Sequence, residues 1–333
     1  LKLTSSHRET HDWGFIAQEG DNVIGSSVRL GAEFKKYFGD AWYDKVGRET
    51  DTANVLSDNI FGYSKSNWNG NWTYSRGLII NPTISLAKGK LCFLETRNTD
   101  LQKSTSGRES TKNHWKQMFA VCLDATTGKI IWQKPFPKTL LRTEKKGFIQ
   151  VSYGSMTSEG FLVTLSEGDT EETGKHNGKG IFSYHYFDLA NGALRFQSQT
   201  PWRTNHHGSH ITHPVVYEDR VYTDPTGISL PDGKPLDHKY GPKTKCSATV
   251  GTAYGLLYRG IDVSLTFWSK TSKKQSHWPR LRPSCWLSVL PAQGLFLAPE
   301  GGGGCSCGGW METSLAFIPK NNSGIKEPTP PKK

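Results

Sequence analysis

One short pattern recurs five times in the chain, and this repeat constrains the fold more than any other feature. Each copy has small or polar residues, an apolar pair, a turn containing Gly or Asp, and a second apolar run. The copies span residues 81–95, 152–165, 209–224, 247–260 and 284–300. Their turns fall at Lys88–Gly89, Glu159–Gly160, Glu218–Asp219, Tyr254–Gly255 and Gln293–Gly294. Gly and Asp tolerate positive φ, so each copy predicts two antiparallel strands joined by a tight turn.

A second type of hairpin alternates with the first. In its clearest copy, residues 119–136, Asp124 and Gly128 bracket a turn and Trp132 follows. Residues 186–199 repeat the pattern with Phe196 in the tryptophan position. Weaker copies span residues 57–74, 230–237 and 262–278.

Two such hairpins make one four-stranded unit, and a single unit leaves apolar faces uncovered. Packing the units around a common axis covers those faces. The sequence therefore predicts an all-β fold: a β-propeller of four-stranded blades, five or six of them visible. The ring is either complete or closed by residues outside this chain. The alternative is a β-sandwich of irregular hairpins.

Three regions follow from this interpretation. Residues 1–55 form an N-terminal segment, either a partial blade or an inserted loop. Residues 56–320 hold the propeller repeats, with insertions at 97–113 and 167–180. Residues 321–333 are a flexible basic tail rich in Pro and Lys.

Charge and hydropathy narrow the function classes. The formal net charge is +11, which favours a polyanionic partner such as an acidic polysaccharide, or another protein. Nucleic acid is disfavoured because no zinc finger, RNP-type motif or heptad array is present. No apolar run approaches the roughly 20 residues that a transmembrane helix needs. The chain begins at Leu1, so we expect either a removed signal peptide or a piece of a longer protein.

The stretch Leu123-DATTGKIIW is similar to the repeat of pyrroloquinoline-quinone-like (quinoprotein-type) β-propeller proteins, and Asp188-LANGALRF is a second, weaker match. Residues 282–307 and 313–319 resemble the C-terminal part of large repeat proteins of planctomycete-type bacteria. The resemblance implies one of two functions. Some relatives are quinone-dependent dehydrogenases that use pyrroloquinoline quinone with calcium, and others are non-catalytic scaffolds or ligand-binding propellers.

Two features depart from the dehydrogenase pattern that the resemblance implies. Those enzymes often carry a disulfide between adjacent cysteines, whereas Ser306 separates Cys305 from Cys307 here. The carboxylate and amide ligands of calcium are also not assigned by any motif.

Four histidines lie within eight residues, which is the most unusual local feature of the chain. They are His206, His207, His210 and His213. Imidazole binds zinc, copper, iron and nickel, so these residues are candidate metal ligands. His207 and His210 are also candidate catalytic residues. The alternative is a polar loop in which the histidines are only hydrogen-bonded.

Other residues suggest further sites. Arg259 and Glu300 end two equivalent inner hairpins, where they are candidate catalytic or ligand-binding residues or simply neutralise each other. Tyr153, Tyr258 and Trp286 line a central channel or pack between blades. Cys92 and Cys122 lie in apolar runs and are interpreted as buried hydrophobic residues. The disulfide candidates of an exported protein are Cys246, Cys285, Cys305 and Cys307.

Three functions remain open from the sequence. The first is a secreted or periplasmic bacterial propeller that binds a ligand or partner on one face. The second is a quinone-dependent oxidoreductase, and the third is a lyase-like polysaccharide-active enzyme that uses the histidine cluster. A metal ion and pyrroloquinoline quinone are the cofactors that these alternatives would need, and neither is required by the first.

Overall fold

The computed structural model describes most of the repeat region. The described residues are 10–32, 53–104, 107–110, 115–137, 147–169, 180–202, 212–237, 239–241, 243, 247–260, 264–279, 281, 289–299 and 314–317. Within them the regular structure is almost entirely antiparallel β-strand, arranged as six successive groups of strands; the first two groups share one ten-stranded sheet and the other four are separate sheets. These groups are called blades 1 to 6. Within the described residues, no helix has the length and apolarity that crossing a membrane would require.

Blades 1 to 3 each contain four strands in chain order. Blade 1 contains β1 (His11–Glu19), β2 (Asn22–Arg29), β3 (Ala53–Ser64) and β4 (Gly70–Tyr74). The linker to blade 2 contains β5 (Leu78–Ile80) and a 3₁₀ turn, Asn81–Thr83. Blade 2 contains β6 (Ser85–Ala87), β7 (Lys90–Thr96), then the inserted α1 (Thr99–Gln102) and β8 (Arg108–Ser110), then β9 (Met118–Asp124) and β10 (Ile130–Pro135). Blade 3 contains β11 (Gly147–Met156), β12 (Gly160–Asp169), β13 (Gly180–Asp188) and β14 (Leu194–Pro201).

Blades 4 to 6 have shorter strands. Blade 4 contains β15 (Val215–Tyr217), β16 (Arg220–Tyr222) and β17 (Gly227–Ser229), with Pro235 bridging to Ile228. Blade 5 contains β18 (Val250–Thr252), β19 (Gly255–Arg259), β20 (Leu265–Ser269) and β21 (Gln275–Trp278). Blade 6 contains β22 (Leu290–Ala292), β23 (Leu295–Ala298) and β24 (Leu315–Phe317).

The predicted turns are present at all five positions. Lys88–Gly89 joins β6 to β7, and both residues have positive φ, 54° and 66°. Gln293–Gly294 does the same between β22 and β23, with φ of 48° and 80°. The other three predicted turns join β11 to β12, β15 to β16 and β18 to β19. The sequence therefore predicted the first hairpin of five blades correctly.

The blades radiate from a common axis, which identifies the fold as a β-propeller. The first strands of neighbouring blades contact one another: β1 with β6, β6 with β11, and β15 with β18. Five buried apolar clusters lie mainly between successive blades, one at each of the five junctions from blade 1 to blade 6. Blades 2 to 5 thus each cover both apolar faces with their neighbours, as the sequence argument required.

A tryptophan on the last strand of one blade packs against the next blade and hydrogen-bonds to it. Trp72 packs on Gly128, and Trp132 packs on Gly192. A Cβ at either glycine would lie 2.5 or 2.6 Å from the indole ring, so the position requires glycine. Each indole also donates a 3.1 Å hydrogen bond to a carbonyl of the next blade, at Ala125 and Leu189 respectively. The repeated Asp, Gly and Trp of the sequence therefore form the joint between blades.

Blades 1 and 2 are joined by backbone hydrogen bonds as well as by side chains. β5 pairs with both β3 and β7, so their strands form one ten-stranded sheet. β8, from the insertion in blade 2, pairs with the first residues of β3. The insertion is therefore anchored on the neighbouring blade.

Candidate functional site

The two faces of the propeller differ in their connections. Because the strands alternate in direction, the turns within each hairpin lie on one face, the turn face. The connections from second to third strands, and from one blade to the next, lie on the other face, here called the loop face. The 97–117 and 170–179 connections and the histidine-containing segment 202–214 all begin and end at the loop face.

Three second strands end in arginine at the loop face. β2 ends at Arg29, Arg97 follows β7 directly, and β19 ends at Arg259. Arg29 donates two hydrogen bonds of 3.0 Å to the carboxylate of Asp58. His11 Nε2 also lies 2.8 Å from Asp58 Oδ2. The first arginine is therefore neutralised within blade 1.

Arg97 belongs to a buried polar cluster between blades 1 and 2. Its Nε donates to Glu95 Oε1 at 2.7 Å, and the hydroxyl of Tyr74 donates to the same oxygen at 2.9 Å. The guanidinium lies over the ring of Phe119, 4.0 Å from its centroid. Burial raises the pKa of Glu95, although Arg97 opposes that shift. Burial and the nearby carboxylate also raise the pKa of Tyr74. The second arginine thus also has a carboxylate partner.

Arg259 differs from the other two. Only 4% of its surface is exposed. None of its three guanidinium nitrogens has a hydrogen-bond partner within reach in the structure as described. Its backbone N–H donates to Ser247 Oγ at 3.2 Å, so the strand end is fixed while the side-chain charge is not matched. Glu300 lies outside the described residues, and its pairing with Arg259 stays a prediction.

His213 is the one member of the histidine cluster that the structure describes, and it contacts Tyr153 of β11. The ring centroids are 4.4 Å apart at an angle of 49°. His213 Nδ1 lies 2.9 Å from the carbonyl oxygen of Pro214, so Nδ1 carries the proton and Nε2 holds the free lone pair. Desolvation lowers the pKa of His213, although the residue is exposed and its hydrogen bond to Pro214 opposes the shift. Burial raises the pKa of Tyr153 to about 12. Both groups are therefore neutral near pH 7, and His213 Nε2 is available as a base or ligand.

Most of the other predicted site residues lie outside the described residues, so their roles stay predictions. These are His206, His207, His210, Trp286, Glu300, Cys246, Cys285, Cys305 and Cys307. Tyr258 packs between blades 4 and 5, with its ring 5.5 Å from that of Tyr240. No group of three or more His, Cys, Asp or Glu side chains is arranged for a metal in the described part of the chain.

Cys92 and Cys122 are both buried free thiols, as the sequence interpretation required. They lie directly opposite each other on β7 and β9. Burial raises the pKa of Cys92. The pair is therefore part of the core of blade 2.

Sequence reasoning missed the Glu95, Arg97 and Tyr74 cluster and the buried His185. A signal for the first existed, because Glu95 directly follows the apolar run Leu91–Leu94 within β7. His185 lies among aromatic residues in β13, with its ring 4.7 Å from that of Phe136. Within the described structure neither of its ring nitrogens has a hydrogen-bond partner, and burial lowers its pKa to about 4.

Comparison with known proteins supports the fold. No protein-family model matches the chain, and no curated protein matches it. The chain is similar to the exotype rhamnogalacturonan lyase YesX, with a TM-score of 0.52 and 9% identity over 92% of this chain and 56% of that one. It is also similar to BamB from Moraxella catarrhalis, with a TM-score of 0.43 and 11% identity over 86% and 81% of the two chains. A europium-containing methanol dehydrogenase has a TM-score of 0.39 and 10% identity over 75% and 59%.

At these identities the likeness shows the fold alone. The chain spans 56% of the length of YesX, so a large part of that enzyme has no counterpart here. The fold and the topology of this chain define its class as a β-propeller.

Proposed function

We propose that this chain is a secreted or periplasmic β-propeller that binds an acidic polysaccharide on its loop face. The main support for this proposal is the difference in length between the connections on the two faces. Tight turns cover one face, whereas the long connections all begin and end at the other. Binding residues concentrate on loops that a rigid scaffold positions. The net charge of +11 favours an acidic partner.

Immobilised polygalacturonate, with neutral galactan as the reference, tests this proposal. We expect binding to polygalacturonate that weakens as salt is raised, and weaker or no binding to galactan. A protein that binds both polymers equally, or neither, contradicts the proposal.

A charge reversal on each face separates face-specific binding from bulk attraction. Lys103 and Lys116 are exposed in the connection between β7 and β9, on the loop face. Lys129 and Lys274 are exposed in turns on the opposite face. The double variant Lys103→Glu, Lys116→Glu should weaken binding at least about tenfold, whereas the matched variant Lys129→Glu, Lys274→Glu should change it little. Equal weakening by both variants would mean that only net charge matters.

A second candidate is a polysaccharide lyase, favoured by the contact of Tyr153 with His213. In a β-elimination, a base removes the proton beside the uronate carboxyl, the neighbouring C–O bond breaks, and the leaving oxygen takes a proton. His213 Nε2 has the free lone pair that the first step needs, and the hydroxyl of Tyr153 is a proton donor. YesX is a lyase by name, but its likeness adds only the fold.

The ultraviolet absorbance of the unsaturated uronate product measures this activity. Polygalacturonate and rhamnogalacturonan are the substrates. His213→Gln should abolish the activity, and Tyr153→Phe should lower it by about 10²-fold or more. Retained binding in both variants would separate catalysis from binding. If the unmodified protein gives no product while it binds polygalacturonate, the binding proposal stands and the lyase is excluded.

A further inference from the structure

A cavity of about 630 Å³ lies between blades 5 and 6. It is lined mainly by apolar side chains, among them Leu265, Phe267 and Trp278 from blade 5 and Phe296 and Phe317 from blade 6. Trp278 and Phe317 are 39% and 37% exposed, so the cavity opens to solvent on their side. Its size and lining suit a small, largely apolar molecule.

Arg259 is not among the residues that line this cavity, but it is the cross-strand neighbour of Leu265, which does line it. Its β19 position is directly opposite Leu265 of β20, and Leu257 is directly opposite Phe267. Cross-strand partners share a face of the sheet, with Cβ atoms about 5 Å apart. Arg259 is therefore on the same face of blade 5 as Leu265 and Phe267, next to the loop face.

The buried positive charge of Arg259 would be stabilised by a bound anion. A guanidinium stays protonated in proteins, and a buried charge without a counter-charge is strongly unfavourable. Arg29 and Arg97, at equivalent strand ends, each contact a carboxylate. Arg259 is more buried than either and has no such contact in the described structure. Among these three arginines at equivalent strand ends, Arg259 alone has no carboxylate partner in the described structure.

We propose that the cavity and Arg259 form a binding site for a small carboxylate with an apolar body. The carboxylate accepts two parallel hydrogen bonds from the guanidinium, as Asp58 does from Arg29. The apolar body lies against Leu265, Phe267 and Phe296. One positive charge matches one carboxylate, so a monoanion fits better than a multiply charged group. Binding of a small carboxylate here does not require that a polysaccharide is bound on the loop face.

Calorimetric titration with octanoate and with 1-octanol tests the proposal, because the two probes share a tail length and differ in charge. The unmodified protein should bind octanoate at least about tenfold more tightly than octanol. Arg259→Met should remove this preference and leave octanol binding unchanged. Arg220→Met, which removes the same charge from a partly exposed position on β16, should keep the preference.

A cavity-filling variant tests the apolar half of the site. Ala292 is exposed at the rim of the cavity, so Ala292→Trp should weaken both probes without touching Arg259. If Arg259→Met does not fold, Arg259→Lys keeps the charge and loses the fork, and should retain only part of the preference. Circular dichroism confirms the fold of each variant.

Four results would overturn the proposal. The first is equal affinity of the unmodified protein for both probes, and the second is no binding of either. The third is a preference for octanoate that appears only in Glu300→Gln, which would mean that Glu300 is the natural partner of Arg259. A preference that survives in Arg259→Met would also assign the anion site elsewhere.

Discussion

Replacement of His185 by phenylalanine should make the protein more resistant to acid. His185 is fully buried between blades 2 and 3, where its ring contacts Phe136. Burial lowers its pKa to about 4, so the folded protein holds the ring neutral in mild acid. The unfolded chain has no such constraint, and its histidines take up a proton near pH 6.5. Acid therefore favours the unfolded state through this residue.

The size of the effect follows from the two pKa values. Stability is intact above the unfolded pKa, falls as the pH drops below about 6.5, and stops falling below about 4. Linkage gives a loss of about 2 kcal/mol between about pH 7.5 and pH 5, and about 3 kcal/mol in full. A phenylalanine ring at position 185 does not titrate, so the variant should not show this part of the loss.

Urea unfolding followed by tryptophan fluorescence measures the free energy of unfolding at both pH values. Other groups titrate as well, so the informative quantity is the difference between the protein and His185→Phe. Gln197→Leu is the matched control, because Gln197 is exposed directly opposite His185 on β14 and carries no titrating group. Its pH dependence should parallel that of the unmodified protein. If His185→Phe also parallels it, the reasoning is refuted. His185→Leu repeats the test if the larger ring does not fit.

Three further predictions concern the blades themselves. Trp132→Phe removes the indole hydrogen bond to Leu189 and part of the ring, and should lower the free energy of unfolding by about 1–3 kcal/mol in the same urea assay. Cys92 and Cys122 should not react with a thiol reagent in the native protein and should react on denaturation; rapid native labelling would contradict their burial. Asp124→Ala removes the carboxylate that accepts three hydrogen bonds in the β9–β10 turn, and should lower the melting temperature through a loss of about 1–2 kcal/mol. An unchanged melting temperature would show that this turn forms without its side-chain cap.

The hairpins could be predicted from the sequence because each one is specified by a few neighbouring residues at its turn. A turn such as Lys88–Gly89 has positive φ at both residues, and the glycine that tolerates this conformation is visible in the sequence. The joint between blades was also visible as a repeated pattern, although its physical reason was not. Only the structure shows that Gly128 is required by the ring of Trp72 above it.

Contacts between distant segments could not be predicted in the same way. Tyr153 and His213 are 60 positions apart, and nothing in either segment indicates the other. Arg97 was expected to open an inserted loop, yet it contacts Glu95 and Tyr74 from two blades. The number of blades, five or six in the sequence interpretation, depended on weak copies of the repeat at both ends. Short strands such as β22 and β24 carry too few residues to specify a pattern.

The shared sheet of blades 1 and 2 has a consequence for protein engineering. Propeller blades are attractive modules for shuffling, because a blade usually completes its own backbone hydrogen bonds. β5 breaks that rule here by bonding to both β3 and β7, and β8 adds a second crossing. Any chimera has to keep the first two blades together, or two rows of peptide groups are left without partners. Blade 3, whose described strands bond only within their own sheet, is the natural single module to transplant.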